Sequence, residues 1–263
     1  MSVSPRRAWD VMIFDGHQVE HLFPYNQLVP EPRRSLATQT DTRNAPAYPL
    51  VEAARYLRLP PATLRAWTVG RPYPTTAGPG RFQPLIRPAA RTPVSLSFWN
   101  LIEAHVLRAL RIDHGVSVKA VRKALQFAQS TLGIERLLLS PELRSRAGEV
   151  FLDRYGQLIN LSASGQLAIR QVLEAHLRRV EWDDRKVPIR LHPFLIGDAP
   201  DQGRAIVIDA LVSFGRPMLA SSGVSTAAIV SRIDAGESPD DVAADYGVSV
   251  RDVDAAVVYE RVA

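Results

Sequence analysis

The chain contains no cysteine. That removes disulfide bonds, a thiol nucleophile and thiolate-ligated zinc from consideration. No apolar run approaches the roughly 20 residues that a helix needs to cross a bilayer. The first residues carry Arg6 and Arg7, but the apolar stretch that follows is short and interrupted by Asp10 and Asp15. A secretory leader needs a longer apolar segment, so a cytoplasmic protein is expected. Acidic residues are scarce in one place above all. Residues 48–98 hold seven arginines against a single acid, Glu52, a net charge of +6.

The opposite imbalance appears at the far end. Residues 211–263 hold four arginines and eight acids, a net −4, while residues 99–132 carry +3. A polyanionic partner is therefore expected at the N-terminal half only. With 263 residues, 46% of them hydrophobic and 22% charged, the composition is that of an ordinary globular protein with room for one large domain or two to three small ones.

One local pattern occurs twice. Ala54, Leu57, Leu59 and Leu64 repeat as Ala243, Tyr246, Val248 and Val253. This spacing lets two short helices cross closely around a tight turn, the frame of a helix-turn-helix. Where the first copy has Thr63 and Arg65, the second has Asp252 and Asp254. The first suits a phosphate backbone and the second repels it.

Around these frames the chain divides into four stretches. Residues 1–46 show no sustained periodicity and read as an extension ending in a linker. Residues 47–132 hold the first helix pair and then a segment rich in Gly, Pro and Arg at 68–94, which reads as a β-wing with Phe82 and Leu85-Ile86 as strand residues. Two helices follow, at 97–112 with Ile102, Val106, Ala109 and Leu110 on one stripe, and from Ser117 with Val118, Val121, Leu125, Ala128 and Leu132. Residues 133–210 are mixed. A hairpin is expected at 149–161, an amphipathic helix at 164–180, and short strands at 187–195 and 205–208. Residues 211–263 are helical again, with a helix at 225–234 and two Ser-x-x-Asp capping boxes, Ser238 with Asp241 and Ser249 with Asp252. The expected fold class is α+β, mainly α: an N-terminal winged helix-turn-helix, a central mixed α/β portion and a C-terminal three-helix domain resembling a helix-turn-helix.

Two resemblances rest on these residues. Tyr48-Pro49-Leu50-Val51-Glu52-Ala53-Ala54 followed by Thr63-Leu64-Arg65-Ala66-Trp67 resembles the N-terminal winged helix-turn-helix of MerR-type regulators. It departs from that pattern at Arg58, where the turn usually has Gly, and at Ala66, where an aromatic is common. Phe214-Gly215-Arg216-Pro217-Met218-Leu219, with Ala235-Gly236-Glu237-Ser238 and Asp245-Tyr246-Gly247, resembles a small bacterial domain of unknown function found in antitoxins. Ser221 and Ser222 stand where that domain usually has Gly-Thr. With the Asn100–Leu107 segment between them, residues 48–263 resemble a VapB-type antitoxin of a VapBC toxin–antitoxin pair. The resemblance implies a PIN-domain ribonuclease toxin as partner and repression of the protein's own operon.

The residues fit such a role without chemistry of their own. Leu64 and Trp67 are expected to face the core, and Ala62, Thr63, Arg65 and Ala66 to face outward. Arg65 offers charge-assisted bonds to phosphate, and Thr63 reaches phosphate or a base edge. Arg58, Arg71, Arg81 and Arg87 would extend the DNA contact. A reader of this type works as a two-fold homodimer on operator DNA. In the second frame Val253, Val257 and Val258 suggest a dimer or toxin interface. His17 and His21, near Asp15 and Glu20, lack a third histidine and read as chance, so no metal is expected. His105 and His176 read as packing groups, and Ser221 and Ser222 near Arg216 as a polar turn. No nucleophile–base pair, paired carboxylate or phosphate-binding glycine loop stands out, so neither enzyme activity nor a cofactor is expected. Two alternatives stay open: a MerR-like regulator sensing a small molecule in residues 133–210, and a protein adaptor that uses both frames without DNA.

Overall fold

A computed structural model describes residues 41–76, 78–113, 117–133, 135–139, 174, 176–193 and 204–261. All of these lie in one unit, Ser35–Ala263. The first frame is built from helices α1 (Leu50–Tyr56) and α2 (Pro61–Thr68), preceded by strand β1 (Tyr48–Pro49). Pro61 sits at the first position of α2, where its missing N–H costs nothing and its fixed φ suits the helix. Strands β2 (Arg71–Thr75) and β3 (Gly78–Phe82) then form an antiparallel hairpin. Tyr73 stacks on Phe82 with ring centroids 4.1 Å apart. Gly80 leaves the space for the Tyr73 ring, since a Cβ there would lie 2.6 Å from it.

Phe82 is thus a strand residue as expected, but Leu85 and Ile86 are not. Their amides donate to the Trp67 carbonyl, at 2.7 and 3.0 Å, and so fold the chain back onto the end of α2. Ile86 enters the core instead of a ladder. Strands β4 (Ala90–Arg91) and β5 (Val94–Leu96) complete a small sheet in the order β1-β5-β4.

Helix α3 (Phe98–Arg108) begins at a reciprocal capping box between Ser97 and Asn100. It is buried on every side from Phe98 to Leu107, not along one stripe. A helix of this kind is the axis of a domain rather than a surface element. It continues through a π-helical turn, Ala109–Asp113, and α4 (Val118–Leu132) follows.

The hairpin expected at 149–161 lies outside the described residues, as does most of the helix expected at 164–180. Residues 176–178 are helical, but Val180 opens strand β6 (Val180–Trp182). Strands β7 (Pro188–Leu191), β8 (Ile206–Asp209) and β9 (Met218–Leu219) complete an antiparallel sheet in sequence order. Three helices end the chain: α5 (Thr226–Asp234), α6 (Pro239–Tyr246) and α7 (Val250–Arg261). The architecture of the described residues is mixed α/β.

Two apolar clusters hold these elements. Leu64, Trp67, Phe98, Trp99 and Leu107 belong to the larger one. Ile229, Val242, Val253, Ala256 and Tyr259 belong to the smaller. Strand β8 serves both, with Ile208 in the first and Ile206 in the second.

Candidate functional site

The two frames share their backbone hydrogen bonds. The Leu59 amide donates to the Ala54 carbonyl at 2.9 Å, and the Val248 amide to the Ala243 carbonyl at 3.0 Å. The next helix opens with Thr63 and Leu64 donating to the Pro60 carbonyl, and Asp252 and Val253 to that of Ser249. Each turn pivots on one residue in the left-handed region, Arg58 at φ 51° and Gly247 at φ 64°. Arg58 therefore makes the turn that glycine makes in the other copy, despite its Cβ.

Helix α2 presents the face expected of it. Leu64 and Trp67 are buried, Ala62 and Arg65 are exposed, and Thr63 and Ala66 are half-buried. Arg71 and Arg81 are exposed on the neighbouring hairpin, and Arg87 is exposed just beyond it. The Arg87 carbonyl accepts from Asn100 Nδ2 at 3.0 Å, which fixes its backbone to the start of α3. Helix α4 adds positive charge that the sequence reading missed. The Arg122 guanidinium lies 6.0 Å from the Phe82 ring centroid, and Lys119 and Lys123 are exposed on the same helix. A Lys-x-x-Arg-Lys run was visible in the sequence, but nothing there placed it beside the hairpin.

Arg58 is placed differently from the other arginines. Its guanidinium donates to the Val258 carbonyl at 3.4 Å and sits 5.7 Å from the Tyr259 ring centroid. Around it, Arg55 pairs with Glu260 at 3.0 Å, and the Tyr259 hydroxyl donates to the Tyr56 carbonyl at 3.2 Å. Glu260 also accepts from the Thr226 hydroxyl. The last two turns of α7 thus rest on the turn of the first frame. Burial, followed by the nearby Glu260 charge, holds the Tyr259 hydroxyl well above its ordinary pKa.

In the second frame Val253 is fully buried, Val257 half-buried and Val258 exposed. Val253 occupies the place that Leu64 has in the first frame, so its side chain packs inside the C-terminal helices and not at the surface. Both capping serines accept from the amide three residues on, each at 3.1 Å. Asp252 returns the contact by accepting from the Ser249 amide at 3.3 Å. Asp254 and Arg251 are exposed.

The other candidates differ in their burial. His105 and His176 are buried with ring centroids 4.9 Å apart, and burial pushes the His105 pKa well below its ordinary value. Arg216, Ser221 and Ser222 are exposed, and Ser222 Oγ accepts from the Val224 amide at 3.4 Å. His17 and His21 lie outside the described residues. Among the described residues no three His, Asp or Glu side chains gather as a metal site, and no helix is long and apolar enough to cross a membrane.

Residues 206–259 match a family described as a protein of unknown function, DUF433. Over 223 residues the chain is 30% identical to a Mycobacterium tuberculosis protein named "Putative antitoxin VapB45", covering 78% of this chain and 90% of that one. It is also similar to a crystal structure of Rv2018 from Mycobacterium tuberculosis. That likeness has a TM-score of 0.59 at 26% identity and covers 81% of this chain and 98% of the other.

Proposed function

The chain belongs to the family of the antitoxin-named Mycobacterium tuberculosis protein, and from that premise we propose that it is the antitoxin of a type II toxin–antitoxin pair. It neutralises a PIN-domain ribonuclease toxin without catalysis of its own. Through residues 47–132 it binds operator DNA, as a homodimer, and represses its own operon.

One observation carries the DNA half of this reading. Two frames with the same turn expose the same face of their second helix, and only the first carries a cation, Arg65, where the other has Asp254. Arg65 is exposed on α2, and Arg71, Arg81 and Arg87 lie on the segment that follows. A helix of this kind enters a major groove while the arginines beside it neutralise phosphates. Thr63, Arg65, Arg71, Arg81 and Arg87 are the proposed DNA contacts. Arg58 anchors helix α7 instead. On the second frame Asp254 would meet phosphates of its own sign, so that frame faces protein.

Two measurements test the reading. Binding of the full chain to a duplex carrying its own promoter is followed by fluorescence anisotropy over a salt series. Specific binding that weakens steeply with salt is expected, and binding no tighter than to a scrambled duplex overturns the DNA half. Co-expression with the protein encoded by the neighbouring reading frame tests the other half. Restored growth and co-purification are expected, and growth arrest that this chain leaves unrelieved overturns it.

A further inference from the structure

Three cations stand in the first two turns of α4, and two of them are placed against the helix. Lys119 lies in the first turn, at the positive end of the helix dipole, where a cation is disfavoured. Lys123 follows at i+4, the spacing at which like charges repel. Arg122 adds a third charge beside them. Residues 117–133 hold no Asp or Glu that could offset these charges. Both lysines are exposed. A bound phosphate would relieve the dipole term and the repulsion together.

The surroundings select a long polyanion over a small one. The hairpin ties this part of α4 to helix α2. Just after the hairpin, the Leu85 and Ile86 amides donate to the Trp67 carbonyl near the end of α2. On the other side, the Arg122 guanidinium lies 6.0 Å from the Phe82 ring centroid, at the edge of cation–π reach. Tyr73 stacks on the same ring and fixes it. Phe82 pairs with Arg71 across the hairpin, and cross-strand partners share a face. Arg71 therefore stands on the face that Arg122 approaches. Residues 53–102 hold no acid either, a span that takes in α2 and the whole hairpin. The next acid, Glu103, is buried in an ion pair with Arg136 at 2.8 Å. Ordinary surfaces mix both signs, whereas charge of one sign spread over three elements fits an extended polyanion.

We propose that Lys119 and Lys123 of α4 form a second phosphate grip on the duplex whose major groove α2 enters. The proposal rests on the DNA reading above. An ammonium on a flexible stem meets phosphate as a point charge, and a phosphate contact carries no sequence information. The grip therefore adds affinity without adding sequence preference. The other occupant that such charge would suit is an acidic protein surface. Continuity favours DNA, because the same acid-free stretch carries the exposed Arg65 of α2.

The test is fluorescence anisotropy of the full chain on its promoter duplex and on a scrambled duplex, over a salt series. The double variant Lys119→Gln, Lys123→Gln is expected to bind the promoter about tenfold more weakly, with the salt slope reduced by about two. Its preference for promoter over scrambled duplex stays unchanged. It melts at the parent temperature or above, because the repulsion is gone. The pair Lys119→Arg, Lys123→Arg keeps parental binding. Specific parental binding that the glutamine pair reproduces in affinity and slope overturns the grip and leaves the DNA reading intact. Parental binding no tighter to promoter than to scrambled duplex overturns both. Weaker binding with an unchanged slope, or a lost preference for promoter, overturns direct contact with phosphate. Full promoter binding together with lost affinity for the protein of the neighbouring reading frame overturns the choice of DNA.

Discussion

Two frames that share one turn geometry differ in the charge and the length of their second helix. In the first, α2 ends at Thr68 and leaves Ala62 and Arg65 in solvent. In the second, α7 runs on to Arg261, and its added length reaches back to the first frame at Tyr56 and Arg58. The shared turn is a packing solution that any sequence with the right small and apolar residues can reach. What differs is the charge of the exposed face and the length, and those decide which ligand the helix suits.

The largest expected effect strikes the part that the frames share. Leu64→Ala removes a fully buried side chain beneath α2 and is expected to cost about 2–5 kcal/mol. Val253→Ala, its counterpart, removes fewer atoms and costs less. Urea denaturation of both variants measures the two. A Leu64→Ala chain as stable as the parent would break the equivalence of the cores.

Surface exchanges come next and separate the frames. Arg65→Ala is expected to weaken promoter binding about tenfold, with the salt slope reduced by about one. Asp254→Ala, at the matching position, leaves binding unchanged. Anisotropy titrations of both variants decide the matter. Equal losses would mean that both second helices lie against DNA.

The left-handed turn residues give a smaller and sharper contrast. Gly247→Ala meets no neighbour within 4 Å, so its cost is conformational alone, about 1 kcal/mol. Arg58→Gly relieves the same strain but forfeits the guanidinium contact with Tyr259 and the Val258 carbonyl. Its net change is expected to fall below that of Gly247→Ala in thermal melts. A loss above about 2 kcal/mol would show that the contact with α7 outweighs the backbone term.

Much of this was legible in the sequence. The stripe of Leu64 and Trp67, the outward Arg65 and the two serine caps follow from periodicity and local chemistry, and the structure has them. Three features were not. Val180 continues the helical spacing of Leu173 and Leu177, yet it pairs with Leu191, a long-range choice that no local pattern reveals. The arginine at the turn is read from charge as a DNA contact, whereas its partner lies about 200 residues away. Phe214 stands inside a motif that marks a domain without saying which side chains it leaves exposed. In each case the deciding contact is non-local or lies in a backbone torsion.

A last effect concerns the seam between the frames and changes with alkaline pH. Tyr259 is buried there, and burial, then the Glu260 charge, raises its pKa above the ordinary 10. Tyr56, beside it, is raised by burial and by its hydrogen bond to Glu52. A phenol whose folded pKa exceeds its unfolded value stabilises the fold fully below pH 10 and loses that contribution as pH rises toward the folded pKa. The seam is therefore insensitive to pH across the neutral range and weakens only above about pH 10. Tyr259→Phe keeps the ring under Arg58 and removes the hydroxyl that donates to the Tyr56 carbonyl. It is expected to cost about 1 kcal/mol at neutral pH and to flatten the alkaline decline. Thermal melts of parent and variant from pH 7 to 11 measure both terms. Parallel declines would place the sensitive tyrosine elsewhere and leave α7 held to the first frame by its arginine contacts.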